Sequence, residues 1–202
     1  MTPKKTTIAV DIDDTLIPYV PTFFKFYNEA FKTKFEEKDL LNFNFETLLK
    51  CTVEQSQKLI MQFHETQVFK KMQIDPSAIH TLVQLSSTND LWALTARPSH
   101  LWEYTNSWIT KNLPEFKGVK FSYNGTFKEP VAKESKMQLC KSLGAQILID
   151  DSESHSIECA KNGIRVFLID KPWNRKIEND NIIRVKNWKE INERILPKIL
   201  NK

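Results

Sequence analysis

Glycine and cysteine are scarce in this chain, and long apolar runs are missing. Only 4 of 202 residues are Gly and 3 are Cys, which excludes collagen-like and glycine-rich low-complexity architectures. Cys51, Cys140 and Cys159 are odd in number, far apart and without a second Cys or His at ligand spacing. Buried reduced thiols are therefore expected, rather than a disulfide framework or a zinc site. No stretch reaches the roughly 18 consecutive apolar residues of a membrane-spanning helix. The first ten residues offer just Ile8, Ala9 and Val10 before Asp11 interrupts, too short for a secretory leader. The expectation is a cytoplasmic chain with no membrane partner. Charge of one sign is also modest. The net +4 gathers at the C-terminal end, where nine Lys/Arg stand against four Asp/Glu from Lys171 onward. With no base-reading motif and no regular basic stripe, nucleic acid is not the expected partner.

What is present is ordinary globular composition, 41% hydrophobic and 27% charged, in a length suited to one domain carrying a sizeable insertion. Four short apolar runs stand out: Ile8–Ile12, Leu91–Leu94, Gln146–Ile149 and Val166–Ile169. Each is continuous rather than alternating, which predicts strands buried on both faces of a parallel sheet. Helical signals separate the last three. Asp75-Pro76 gives a cap and first-turn proline, and Ile79, Leu82 and Val83 follow at helical spacing. Leu101, Tyr104, Trp108 and Ile109 make another stripe. Ser135-Lys136-Met137-Gln138 has capping-box spacing and Gly144 closes that helix. Ser152-Glu153 and Asn187-Trp188 open two more, and Asn124-Gly125 reads as a turn. Strands alternating with helices predict a doubly wound α/β fold with a parallel sheet. Residues 18–75 break that rhythm. Phe23, Tyr27 and Phe31 recur every four residues, and Thr52-Val53-Glu54-Gln55 opens a helix with Leu59, Ile60 and Phe63. The predicted organisation is a core of residues 1–17 and 76–202, with a helical cap of residues 18–75.

The chemistry concentrates at strand ends. The first strand runs into Asp11-Ile12-Asp13-Asp14-Thr15, and alternation along a strand turns Asp11 and Asp13 the same way. Adjacent carboxylates repel unless a cation or proton sits between them, so the cluster calls for a hard cation such as Mg²⁺. A plain acidic turn is the alternative. Leu94 runs into Thr95-Ala96-Arg97-Pro98, and Ile149 into Asp150-Asp151-Ser152. In open α/β sheets ligands bind outside the carboxyl ends of the strands. Lys136, in the first turn of its helix, is unfavourably placed for a cation unless an anion shares the site; Lys133 and Lys141 compete for that part.

These motifs, in this order, resemble those of the haloacid dehalogenase superfamily. Asp11-Ile12-Asp13-Asp14-Thr15-Leu16 is similar to its first motif, Thr95 to its second, Lys136 to its third and Asp150-Asp151 to its fourth. The insertion after the first motif resembles the helical cap of its first cap class. Leu-Thr-Ala-Arg-Pro, Leu-Ile-Asp-Asp-Ser, Asp170-Lys171-Pro172-Trp173-Asn174 and Val185-Lys186-Asn187-Trp188 are similar to the 5′-nucleotidase-like branch related to cytosolic deoxyribonucleotidases. The resemblance implies a Mg²⁺-dependent phosphomonoester hydrolase with an aspartyl-phosphate intermediate, acting on a small phosphorylated substrate such as a nucleoside monophosphate. Asp11 would be nucleophile and Asp13 acid/base. Thr95, Ala96 and Lys136 would hold the phosphate. Asp11, the Asp13 carbonyl, Asp151 and Asp150 would serve the metal. Sugar-phosphate phosphatase or phosphomutase activity, or a silent phosphate-binding module, are the rival functions.

Other residues carry weaker signals. Arg97 suits a substrate anion and a structural ion pair equally. Trp92, Trp102 and Trp108 read as core. Phe23, Phe24, Tyr27, Phe43 and Phe45 form the one plausible base platform, though packing among themselves is the favoured use. His64, His80, His100 and His155 show no ligand spacing.

Overall fold

Continuous apolar strands need cover on both faces, and here the inner strands alternate between two separate layers of side chains. The computed structural model describes residues 5–124, 127 and 132–200. Gly125 of the expected Asn-Gly turn lies outside the described residues. Strands β1 (Thr6–Val10), β2 (Asn89–Thr95), β3 (Phe116–Phe121), β4 (Ala145–Asp150), β5 (Arg165–Ile169) and β6 (Ile182–Val185) form one parallel sheet in the order β3-β2-β1-β4-β5-β6. Ile8 and Val10 of β1, Leu91 and Ala93 of β2 and Phe167 and Ile169 of β5 enter one buried layer. Ala9, Leu94, Val166 and Leu168, one residue out of phase, enter the other.

The first layer is closed by α5 (Pro76–Ser86), α6 (Trp102–Asn112) and α9 (Trp188–Leu200), and the second by α7 (Lys136–Leu143) and α8 (Glu153–Lys161). Local chemistry sets their ends as read. Asp75 accepts the Ser77 N–H ahead of Pro76. Ser135 and Gln138 exchange the two bonds of a capping box, and Gly144 closes α7 at φ +65°. The buried face of α5 differs from expectation. Ala78, Thr81, Leu82 and Leu85 point inward, whereas Ile79 and Val83 are exposed. Trp92, Trp102 and Trp108, read as core, are half-buried, while Trp173 and Trp188 are fully enclosed.

Between β1 and α5 the chain forms α1 (Tyr19–Phe31), α2 (Phe45–Leu49), α3 (Val53–Glu65) and α4 (Gln67–Lys70). Their interior is aromatic. Phe23, without exposure, meets Phe45 at 4.8 Å and Phe63 at 5.5 Å, both edge-on. Tyr27 stacks on Phe31 at 4.5 Å. Each such pair adds about 0.5–1.5 kcal/mol beyond simple burial. The helices are tied to the sheet at its carboxyl edge. Asp75 N–H donates to the Leu16 carbonyl at 3.0 Å, and Tyr104 Oη donates to the Lys70 carbonyl at 3.3 Å.

Candidate active site

The strand order reverses between β1 and β4, the switch point at which an open α/β sheet leaves a crevice. Val10 pairs with Ile149, and Asp11 N–H donates to the Ile149 carbonyl at 2.9 Å, so Asp11 and Asp150 emerge side by side. Asp11, Asp150 and Asp151 offer carboxylate oxygens that all lie within 4.8 Å of one another, and all three residues are buried. Lys136 Nζ donates to Asp11 Oδ1 and Asp150 Oδ2, each at 2.6 Å, from a side chain 2% exposed. The first turn of α7 therefore does face an anion, the two carboxylates.

Charge counting shows what this cluster lacks. Three carboxylates against one ammonium leave two negative charges uncompensated. Burial pushes the Asp11 carboxyl well above its usual range, and Asp150 and Asp151 push it further, against the pull of Lys136. Asp151 is raised likewise, first by burial and then by Asp14 and Asp150. Burial alone would lower the Lys136 ammonium, but Asp11 and Asp150 more than offset it and hold it above the ordinary lysine value. A shortfall of two charges amid hard oxygen donors fits a divalent cation of the Mg²⁺ kind.

Asp13 belongs to a different arrangement. Arg97 Nε donates to Asp13 Oδ2 at 2.9 Å and Nη2 to Oδ1 at 2.8 Å, a two-pronged pair. The guanidinium also donates to Thr105 Oγ1 at 3.1 Å and lies 5.4 Å from the centre of the Phe69 ring. Arg97 therefore makes an ion pair within the protein, at the acidic motif itself. Asp14 adopts φ +57°, and both its oxygens accept from Val20 N–H, so it anchors the start of α1. Thr15 Oγ1 donates to Asp151 Oδ1 at 3.3 Å, and Trp173 Nε1 donates to Asp151 Oδ2 at 2.9 Å.

A cavity of about 380 Å³ opens over this edge, within the ordinary range for small-molecule pockets. Asp11, Asp13, Ala96, Lys136, Asp150 and Asp151 line its floor. Thr95 is not among the lining residues; it is buried beneath them, and its Oγ1 accepts the Arg97 N–H at 3.2 Å. Lys133, the rival to Lys136, is exposed at the surface. Tyr19, Phe43, Phe45 and Ile60 form the opposite wall. Phe23, Phe24 and Tyr27 are consumed by packing, so the aromatic segment divides between interior and wall.

Of three further residues at the site, Tyr19 goes unread in the sequence, His64 is set aside for want of ligand spacing, and Trp173 is named only within the segment 170–174. Tyr19 Oη and His64 Nε2 are 2.9 Å apart, and His64 Nδ1 lies 3.0 Å from His100 Nε2. Burial first, then His100, lowers His64 to about 3, so it stays neutral. Trp173 is the third. No periodicity flags such residues, because what matters is the partner each meets far away in the chain.

Three comparisons with known proteins follow the same lines. A nucleotidase of Clostridium acetobutylicum is 28% identical over 93% of this chain and 92% of its own length. A 5′(3′)-deoxyribonucleotidase of the same organism is 25% identical over 60% of this chain and 67% of its own. In three dimensions, a haloacid dehalogenase-like hydrolase from Streptococcus pneumoniae superposes with a TM-score of 0.69 at 17% identity, covering 93% of this chain and 96% of that one. The family described as 5′-nucleotidase, deoxy (pyrimidine), cytosolic type C, matches residues 5–200, and the chain belongs to it as an enzyme of the nucleotidase kind.

Proposed function

We propose that this protein hydrolyses small nucleoside monophosphates through an aspartyl-phosphate on Asp11, with Mg²⁺ bound by Asp11, Asp151, the Asp13 carbonyl and, directly or through water, Asp150. The observation that carries the reading is the buried three-carboxylate cluster, two charges short, beneath a cavity walled by aromatic rings. When bound, Mg²⁺ would offset the repulsion between the anionic nucleophile and the anionic phosphate.

Asp11 then attacks phosphorus, forming an oxygen–phosphorus bond as the bond to the leaving alcohol breaks. Asp13, which must first take up a proton and loosen its pair with Arg97, would give that proton to the alcohol and later take one from the water that attacks the aspartyl-phosphate, returning Asp11 and releasing inorganic phosphate. Lys136 and the backbone at Ala96 hold the phosphoryl oxygens. The Thr95 hydroxyl, buried beneath the lining, accepts the Arg97 N–H and keeps a hydrogen to donate toward the phosphate if the lining above it shifts. Residues 18–75 act as the cap over the core of residues 1–17 and 76–202, and place Tyr19, Phe43 and Phe45 where a flat leaving group would rest. A cytoplasmic location is supported by the family's description as cytosolic. Among the described residues, no helix is long and apolar enough to cross a membrane.

The test is turnover of a phosphomonoester panel with and without Mg²⁺, repeated with Asp11→Asn. The variant removes the attacking charge at constant size, so a folded Asp11→Asn protein should fall below about a hundredth of the native rate, a loss exceeding ~3 kcal/mol. A folded variant that keeps more activity than that rules out covalent catalysis at Asp11.

A further inference from the structure

Trp173 belongs to none of the four motifs, yet its indole reaches the acidic cluster. Three tryptophans have indole N–H bonds that can be compared directly. Trp102 Nε1 donates to the Arg97 carbonyl at 2.9 Å and Trp188 Nε1 to the Thr15 carbonyl at 2.8 Å. These are ordinary ways to satisfy a buried indole. Trp173 Nε1 instead donates to a side-chain oxygen, Asp151 Oδ2, at 2.9 Å, while the other oxygen of that carboxylate takes a longer 3.3 Å bond from Thr15. We propose that Trp173 is a positioning residue that orients Asp151 for the cation, and that the helical segment 18–75 holds Trp173 in place. The proposal rests on the reading of Asp151 as a Mg²⁺ carboxylate.

An indole N–H is a donor with no acceptor character, fixed in the plane of a rigid ring. Enclosed at 4% exposure, Trp173 therefore presents one hydrogen in one direction. Its turn, Pro172–Asn174, is pinned from the sheet side. Asn174 Nδ2 donates to the Asp151 carbonyl at 2.7 Å and to the Ile169 carbonyl at 2.8 Å. From the other side the contacts come from the helical segment. Phe43 meets the Trp173 ring edge-on at 5.4 Å, and Lys171, whose Nζ lies 5.6 Å from that ring, donates to Glu37 Oε1 at 2.6 Å. The donor that orients Asp151 thus sits between the sheet and the residues that wall the cavity. Mg²⁺ demands near-ideal octahedral geometry, so a carboxylate free to swing binds it less well. Removing an outer hydrogen-bond partner of a metal ligand costs about 10–100-fold in affinity.

The experiment is calorimetric titration of the full chain with Mg²⁺ alone, together with the melting temperature without Mg²⁺. Trp173→Phe keeps a ring against Phe43 and deletes the N–H, and its Kd for Mg²⁺ should rise about 10–100-fold. Phe43→Ala, at a residue 57% exposed, should raise the Kd in the same direction by less. Asp151→Asn should abolish binding. If Asp151→Asn binds Mg²⁺ as the native chain does, the cation reading fails and this proposal with it. If Asp151→Asn loses binding while a folded Trp173→Phe stays within about twofold of the native Kd, the positioning role alone is overturned. Should Trp173→Phe not fold, Phe43→Ala decides, and an unchanged Kd there overturns the proposal.

Discussion

The carboxyl edge of the sheet and the helical segment above it bury side chains of opposite character. At the edge, Asp11, Asp150, Asp151 and Lys136 are nearly or wholly enclosed, and they repel or attract one another at hydrogen-bond range. Above it, Phe23, Phe24, Phe45, Phe63 and Phe69 fill the interior with rings. Burying ring surface favours the fold, by about 1.5–3 kcal/mol for a large apolar side chain. Burying like charges opposes it unless a cation arrives. The difference separates the tasks: the edge retains tension that a divalent ion would relieve, whereas the helical segment supplies stability and the shape of the cavity.

The largest expected effect tests whether Asp13 acts as more than a salt-bridge partner of Arg97. Asp13→Asn should slow alkyl phosphates by about 10²–10⁴-fold and nitrophenyl phosphate far less, because a good leaving group needs little protonation. Equal losses on both would assign Asp13 to site geometry alone.

Next, Lys136→Met removes the one ammonium from three buried carboxylates. Breaking a buried pair by deleting one partner costs about 3–5 kcal/mol, so denaturant unfolding without metal should show a loss of that order, with part recovered on adding Mg²⁺. A variant as stable as the native chain would contradict the charge imbalance at the edge.

A smaller effect probes the wall. Nucleoside monophosphates should exceed hexose phosphates in kcat/KM, and at saturating Mg²⁺ Phe43→Ala should narrow that ratio roughly tenfold while changing small aryl phosphates little. A native preference for sugar phosphates would leave the phosphatase chemistry intact and refute the nucleotide reading.

The smallest concerns His64. Its folded value near 3 lies below the ordinary 6.5, so between those values the unfolded chain binds the extra proton. Stability contributed by the neutral ring is therefore present above about pH 6.5 and drains away as pH falls. His64→Gln should flatten the fall in unfolding free energy between about pH 6 and pH 4, by up to ~1.4 kcal/mol per pH unit. An unchanged slope would mean that His64 does not resist protonation.

Four of the six strands among the described residues were legible because β1, β2, β4 and β5 are covered on both faces and read as unbroken apolar runs. The two missed strands are the edges. Phe116–Phe121 carries Lys117, Gly118 and Lys120, and Ile182–Val185 is short and includes Arg184. Edge strands face water and bear the charges that discourage further pairing, so they lack the continuous pattern. The misplaced face of α5 has a similar cause: Ile79 and Val83 have the right spacing, but the sheet takes Ala78, Leu82 and Leu85.

Composition, strand runs, caps, the three strand-end motifs and the lysine at a helix start are local properties, and the sequence by itself determined them. Capping boxes at Ser135 and Thr52 and the left-handed Gly144 are decided within a few residues. Tertiary structure alone decided the pairings. Arg97 reaches back 84 residues to Asp13, Lys136 reaches 125 residues to Asp11, and Trp173 turns its N–H to Asp151 rather than to a carbonyl. The same folding chose which aromatic rings fill the interior and which wall the cavity. The physical reason is range. A cap or a strand run is set by neighbours along the backbone, but the energy of a buried charge or ring depends on what closes over it, and that comes from elsewhere in the chain.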